Sequence, residues 1–77
     1  MSADLSGRAP DPPNLTAREI ECIRLAARGL TTGETAREIQ VSERTVEFHL
    51  GNAVRKLGAV NKLRAVVIAL QLNLIEP

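Results

Sequence analysis

An all-α fold of four short helices is the architecture this chain predicts, and three observations carry that prediction. Apolar residues recur at three- and four-residue spacing along each candidate segment. Thr, Ser and Asn stand just ahead of those segments, and Gly29 and Gly58 close two of them. Phe48 is the only aromatic residue, with no Trp or Tyr. The core must therefore be Leu, Ile, Val and Ala, which suits packed helices better than a sandwich or barrel. A chain of 77 residues makes one small domain, burying about 60% of its unfolded surface.

Residues 1–14 read as a flexible tail or interdomain linker, because Gly7, Pro10, Pro12 and Pro13 block regular structure. The folded domain is expected over 15–77. Thr16-Ala-Arg-Glu19 is a capping box, with Leu15 as a candidate staple, and it starts a helix over about 16–28. Cys22, Ile23, Ala26, Ala27 and Leu30 make its inward stripe; Arg18, Glu21, Arg24 and Arg28 lie outside. Gly29 supplies the left-handed stop. Thr31-Thr-Gly-Glu34 is a second capping box, opening a helix over about 32–40 in which Ala36 permits a close crossing and Ile39 points inward. Val41 makes the following turn. Ser42 caps a third helix over about 43–57, with Val46, Leu50, Ala53 and Leu57 on one stripe. Asn61 caps a fourth over about 61–73. That helix has two apolar faces: Ala65, Ile68, Ala69 and Leu72 for the core, and Leu63, Val67, Leu70 and Leu74 for a dimer seam.

Net charge is only +1. Residues 15–41 balance four Arg against four Glu, and the weak positive bias comes from Arg44, Arg55, Lys56, Lys62 and Arg64. Strong non-specific binding of a monomer to DNA is not expected from this balance. One cysteine, Cys22, excludes an intrachain disulfide and a Cys-based zinc site and reads as a small core residue. No apolar run approaches the roughly 20 residues of a membrane span, and the first residues lack the blocks of a secretory signal. A cytoplasmic location follows as the expectation. No nucleophile–base pair, metal cluster or phosphate loop suggests an enzyme, and no cofactor is expected.

Two helices joined by a tight turn, with the second capped and carrying one apolar stripe, leave an opposite face free for a DNA major groove about 12 Å wide. This helix-turn-helix spans about 32–51. The groove wall is phosphate, so its rim requires donors. Thr32, Ser42, Thr45 and Lys62 stand at or near helix N-termini, and Arg55 and Lys56 add charge at the far end of the third helix. Arg44 is a phosphate or base donor, or else a surface charge. Lys56 either binds phosphate or pairs with a first-helix Glu. His49 reads as a half-buried packing residue.

From Leu15 to Ile75 the chain resembles the LuxR-type (GerE-type) helix-turn-helix domain of bacterial transcription regulators. The matching residues are Leu15-Thr16, Arg18-Glu19, Leu25, Ala27, Gly29, Glu34, Ala36, Ile39, Val41-Ser42, Thr45-Val46, His49-Leu50, Asn52, Lys56-Leu57-Gly58, Asn61-Lys62, Ala65 and Ala69. The Glu-Phe-His-Leu segment and Asn61-Lys62 look more like the acyl-homoserine-lactone (quorum-sensing) receptors than like response regulators. The resemblance implies that the third helix enters the major groove of double-stranded DNA and that the fourth pairs two copies about a two-fold axis. It puts Glu47, Phe48 and Gly51 at base-contacting positions and Thr45 and Lys62 at phosphates. With Glu43, Asn52 and Asn61 these complete the expected DNA-binding set. RNA polymerase, or a sensor domain outside this sequence, would be further partners.

Glu47 departs from the Lys that family members often place there. A carboxylate can accept from the N4 amino group of cytosine instead, and Phe48 can touch a thymine methyl. The bland alternatives are that Glu47 pairs with Arg44 or Arg55 and that Phe48 folds back over Arg44 or Asn52. Glu47, Gly51 and the near-neutral charge also motivate a second functional reading, a protein-interaction module that heterodimerises with a full-length regulator and inhibits it.

Overall fold

The computed structural model describes residues 14–77, so the tail expected over 1–14 falls outside it except for Asn14. Four helices follow in order, α1 (Ala17–Ala27), α2 (Thr32–Ile39), α3 (Glu43–Lys56) and α4 (Lys62–Gln71). Each begins at the cap its sequence announces. Thr16 Oγ1 accepts from Glu19 N–H at 3.1 Å while Glu19 Oε1 accepts from Thr16 N–H at 3.0 Å. Thr31 and Glu34 repeat the box at 3.1 and 2.8 Å. Ser42 Oγ accepts from Thr45 N–H at 3.0 Å, and Asn61 Oδ1 from Arg64 N–H at 2.8 Å. These bonds satisfy N–H groups that the helix itself leaves without partners.

All four helices end alike. A residue with positive φ turns the chain, and the next N–H reaches back five residues: Leu30 to Leu25, Val41 to Ala36, Ala59 to Val54 and Leu74 to Ala69, at 2.9–3.2 Å. The turning residues are Gly29, Gln40, Gly58 and Asn73. Only two are glycine. The tight turn between α2 and α3 therefore pivots on Gln40 (φ 61°, ψ 47°) rather than on Val41, which is half-buried against the core.

The fourth helix is shorter than its apolar pattern predicts. It stops at Gln71 because Asn73 takes the left-handed conformation (φ 59°). Leu72, expected in the core, is 46% exposed, and Ile75 beyond the turn joins the core instead at 4%. In α1, likewise, Ala27 is exposed and Leu25 is buried, shifting the inward stripe toward Cys22, Ile23 and Leu25.

α1 packs on α2, α3 and α4, and α3 packs on α2 and α4. The core joins Cys22, Ile23 and Leu25 to Ala36 and Ile39, the Val46–Leu50–Ala53–Leu57 stripe, and Ala65, Ala69 and Ile75. Burying a Leu, Ile or Val side chain stabilises the fold by about 1.5–3 kcal/mol. This stripe fixes one side of α3 inward and leaves the other to solvent.

Candidate nucleic-acid interface

The outward face of α3 is built by helical periodicity. With Val46, Leu50 and Ala53 inside, Arg44, Glu47, Phe48, Gly51 and Arg55 are all exposed. Residues three and four apart on a helix are surface neighbours, so Glu47 and Phe48 lie one turn ahead of Gly51, and Arg55 one turn behind it. Among the described residues no ion pair engages Glu47. Arg55 turns aside to donate from Nη1 to Asn52 Oδ1 at 2.8 Å. Phe48 is 64% exposed, and its ring makes an edge-type contact with His49, the centroids 5.7 Å apart and the planes at 62°. His49 is half-buried, as the packing role requires.

At its N-terminal end α3 meets the start of α2. A Cβ built on Gly33 would stand 3.3 Å from Glu43 Oε2 and 3.9 Å from Arg37 Nη1. The Glu43 side chain thus lies over the first turn of α2, and Gly33 makes the room for it. Thr32 is half-buried beside this contact, while Ser42 and Arg44 are exposed. Ser42 Oγ lies 2.9 Å from Thr45 Oγ1, so the two hydroxyls form one polar unit at the edge of the presented face. Asn61 and Lys62 are exposed at the start of α4, beyond the turn at Gly58.

Of the two roles open to Lys56, the structure shows the pairing. Its Nζ donates to Glu19 Oε1 at 2.8 Å and to the Asn14 carbonyl at 3.2 Å. Glu19 is 3% exposed. Burial raises its pKa, but the Lys56 hydrogen bond, the Thr16 N–H and the Lys56 charge outweigh burial and hold the carboxyl below its ordinary range. Lys56 is therefore drawn onto α1, and its ammonium acts as a bolt between α1 and α3 rather than a free rim donor.

The apolar seam predicted on α4 is divided by the structure. Leu63 is 73% exposed, Val67 is half-buried, and Leu70 and Leu74 pack against the core. Val60, which the sequence did not single out, is 86% exposed just before α4. Its position ahead of the Asn61 cap gave the available signal, since a hydrophobic residue there usually packs against the first turn.

Residues 13–69 match the family described as GerE, bacterial regulatory proteins, luxR family. The chain belongs to the LuxR family. It is 48% identical over 63 residues to the transcriptional activator protein VanR of Vibrio anguillarum, covering 82% of this chain and 26% of VanR. The LuxR-family domain thus spans about a quarter of the length of that relative. The solved structure of the transcription factor GerE superimposes with a TM-score of 0.77 at 32% identity, covering 80% of this chain and 92% of GerE. VqmA from Vibrio cholera, solved as a ligand–DNA complex, gives 0.75 at 31% identity, covering 92% of this chain and 31% of VqmA. The four-helix fold is that of a LuxR-type helix-turn-helix DNA-binding domain, and the inhibitory-module alternative gains no support from these likenesses.

Proposed function

We propose that this domain reads a two-fold symmetric DNA site as a homodimer, with α3 in the major groove of each half-site and α4 at the seam between copies. The observation that carries the reading is the bare outer face of α3. Arg44, Glu47, Phe48 and Gly51 stand exposed with their helix anchored on the opposite side. Ser42 and Thr45 hydroxyls and the Lys62 ammonium serve the phosphates; Glu47 accepts from the N4 amino group of a cytosine. Val60, Leu63 and Val67 supply the apolar contact between copies. Pairing doubles the small positive charge and fixes the half-sites about one helical turn apart. The solved VqmA complex contains DNA, which supports the DNA-reading half of the proposal. In a longer regulator the domain would deliver the rest of the protein to its promoter.

Titration of the folded domain into a palindromic duplex, at low and at moderate salt, tests this reading. Saturable binding of two copies per duplex, weakening as salt rises, is the expected result. Folded protein that leaves the duplex free at both salts removes the proposal.

A further inference from the structure

Gly51 is the described glycine for which the fold supplies no reason. Gly29 and Gly58 hold positive φ, and Gly33 makes room for the Glu43 carboxylate. Gly51 sits in regular helix, and a Cβ built on it meets nothing within 4 Å. Glycine weakens a helix interior relative to alanine, so an alanine here would strengthen the free domain. The glycine lies at the centre of the presented face, and Arg55 is drawn away from it toward Asn52.

Helical side chains lean toward the N-terminus, so a side chain at 51 would cover the turn carrying Glu47 and Phe48. Its absence leaves an open slot one turn from Glu47, which no ion pair engages among the described residues, and from the exposed Phe48 ring. We propose that Gly51 determines specificity: the slot admits the C5 edge of a cytosine whose N4 amino group is held by Glu47, with room for a methyl group at C5. N4 and C5 are adjacent on the same groove-facing edge of cytosine, which matches an acceptor beside an apolar wall and a bare Cα. This inference rests on α3 lying in the major groove.

The test compares wild type and Gly51→Ala on duplexes carrying cytosine, 5-methylcytosine or thymine at the base pair where Glu47→Ala abolishes discrimination. Wild type should bind the cytosine and 5-methylcytosine duplexes within about twofold of each other and lose about tenfold on thymine. Gly51→Ala should raise Tm by roughly 4 °C or more. It should lose about tenfold on the cytosine site and lose more on the methylated one. Unchanged affinity of Gly51→Ala for the cytosine site overturns the slot, as does a lowered Tm, which would mean that the glycine serves the fold. Failure of folded wild type to bind any duplex overturns the groove reading itself, and this inference with it.

Discussion

Glu19 carries a charge at 3% exposure because Lys56 and Thr16 both donate to the same carboxylate oxygen. Its pKa is held below the ordinary value. The stability it contributes is therefore complete above the ordinary Glu range, near pH 4.3, and is lost as pH falls through the depressed folded value. Glu19→Gln should cost about 1.5–3 kcal/mol at pH 7 and flatten the acid limb of the stability profile, read from urea midpoints between pH 3 and 7. An acid limb identical to wild type would place the titrating group elsewhere. Thr45 acts differently. Its N–H bond to Ser42 is a backbone cap and survives truncation of the side chain. Thr45→Ala should thus weaken binding to specific and scrambled duplexes alike, by about threefold to tenfold; altered base preference would contradict a phosphate role. At this scale the sequence is legible over short range. Both capping boxes stand in plain view as Thr-x-x-Glu, whereas Lys56 and Glu19 lie 37 positions apart. Only the packing of α1 on α3 decides between phosphate and Glu19 as the partner of Lys56.

Helix boundaries show where element-scale reading succeeds and where it stops. The four N-caps are each a side chain bonding three residues ahead, so local chemistry reveals them. Two of the four C-termini are equally legible because glycine marks them. The other two turn on Gln40 and Asn73, residues that tolerate the left-handed region poorly or only moderately. The type of Gln40 announces no turn, whereas asparagine is an accepted left-handed stop and the sequence predicts a helix end at about 73. The stop at Gln71 comes two residues sooner, which is enough to take Leu72 off the inward stripe. Gln40 stores a cost in the turn that orients α3 against α2. A left-handed non-glycine residue costs about 1–2 kcal/mol, and glycine gives back part of the gain through chain entropy. Gln40→Gly should accordingly stabilise the domain by about 0.5–1 kcal/mol, seen as a higher urea midpoint at constant slope. A lower midpoint would mean that the Gln40 side chain holds the turn by contacts of its own.

At the scale of the whole molecule, a net charge of +1 is little to set against a polyanion. The outward face of α3 adds an acidic residue where basic ones are common in the family. The pairing proposed through α4 would compensate on both counts, by doubling the charge and by requiring two half-sites at once. Periodicity alone gave α4 two apolar faces, but not how the core divides them: Leu70 packs inward from the helix itself, and Leu74 from beyond the turn at Asn73. Leu63, at 73% exposure, is the cleaner probe of the seam. Leu63→Glu should leave the thermal transition within about 2 °C of wild type, since surface changes stay within about 0.5 kcal/mol. On a two-site duplex it should reduce the sedimenting complex from two copies to one. Two copies still bound, with undiminished cooperativity, would move the seam off this face. The most direct measurement of the central claim is selection of bound duplexes from a random-sequence pool by the folded domain. The proposed homodimer predicts enrichment of a two-fold symmetric motif with half-sites about 10 base pairs apart, centre to centre, and its loss in the Arg44→Ala, Glu47→Ala double variant. A pool that remains random in the presence of folded, wild-type protein would contradict the reading of α3 as a DNA-recognition helix.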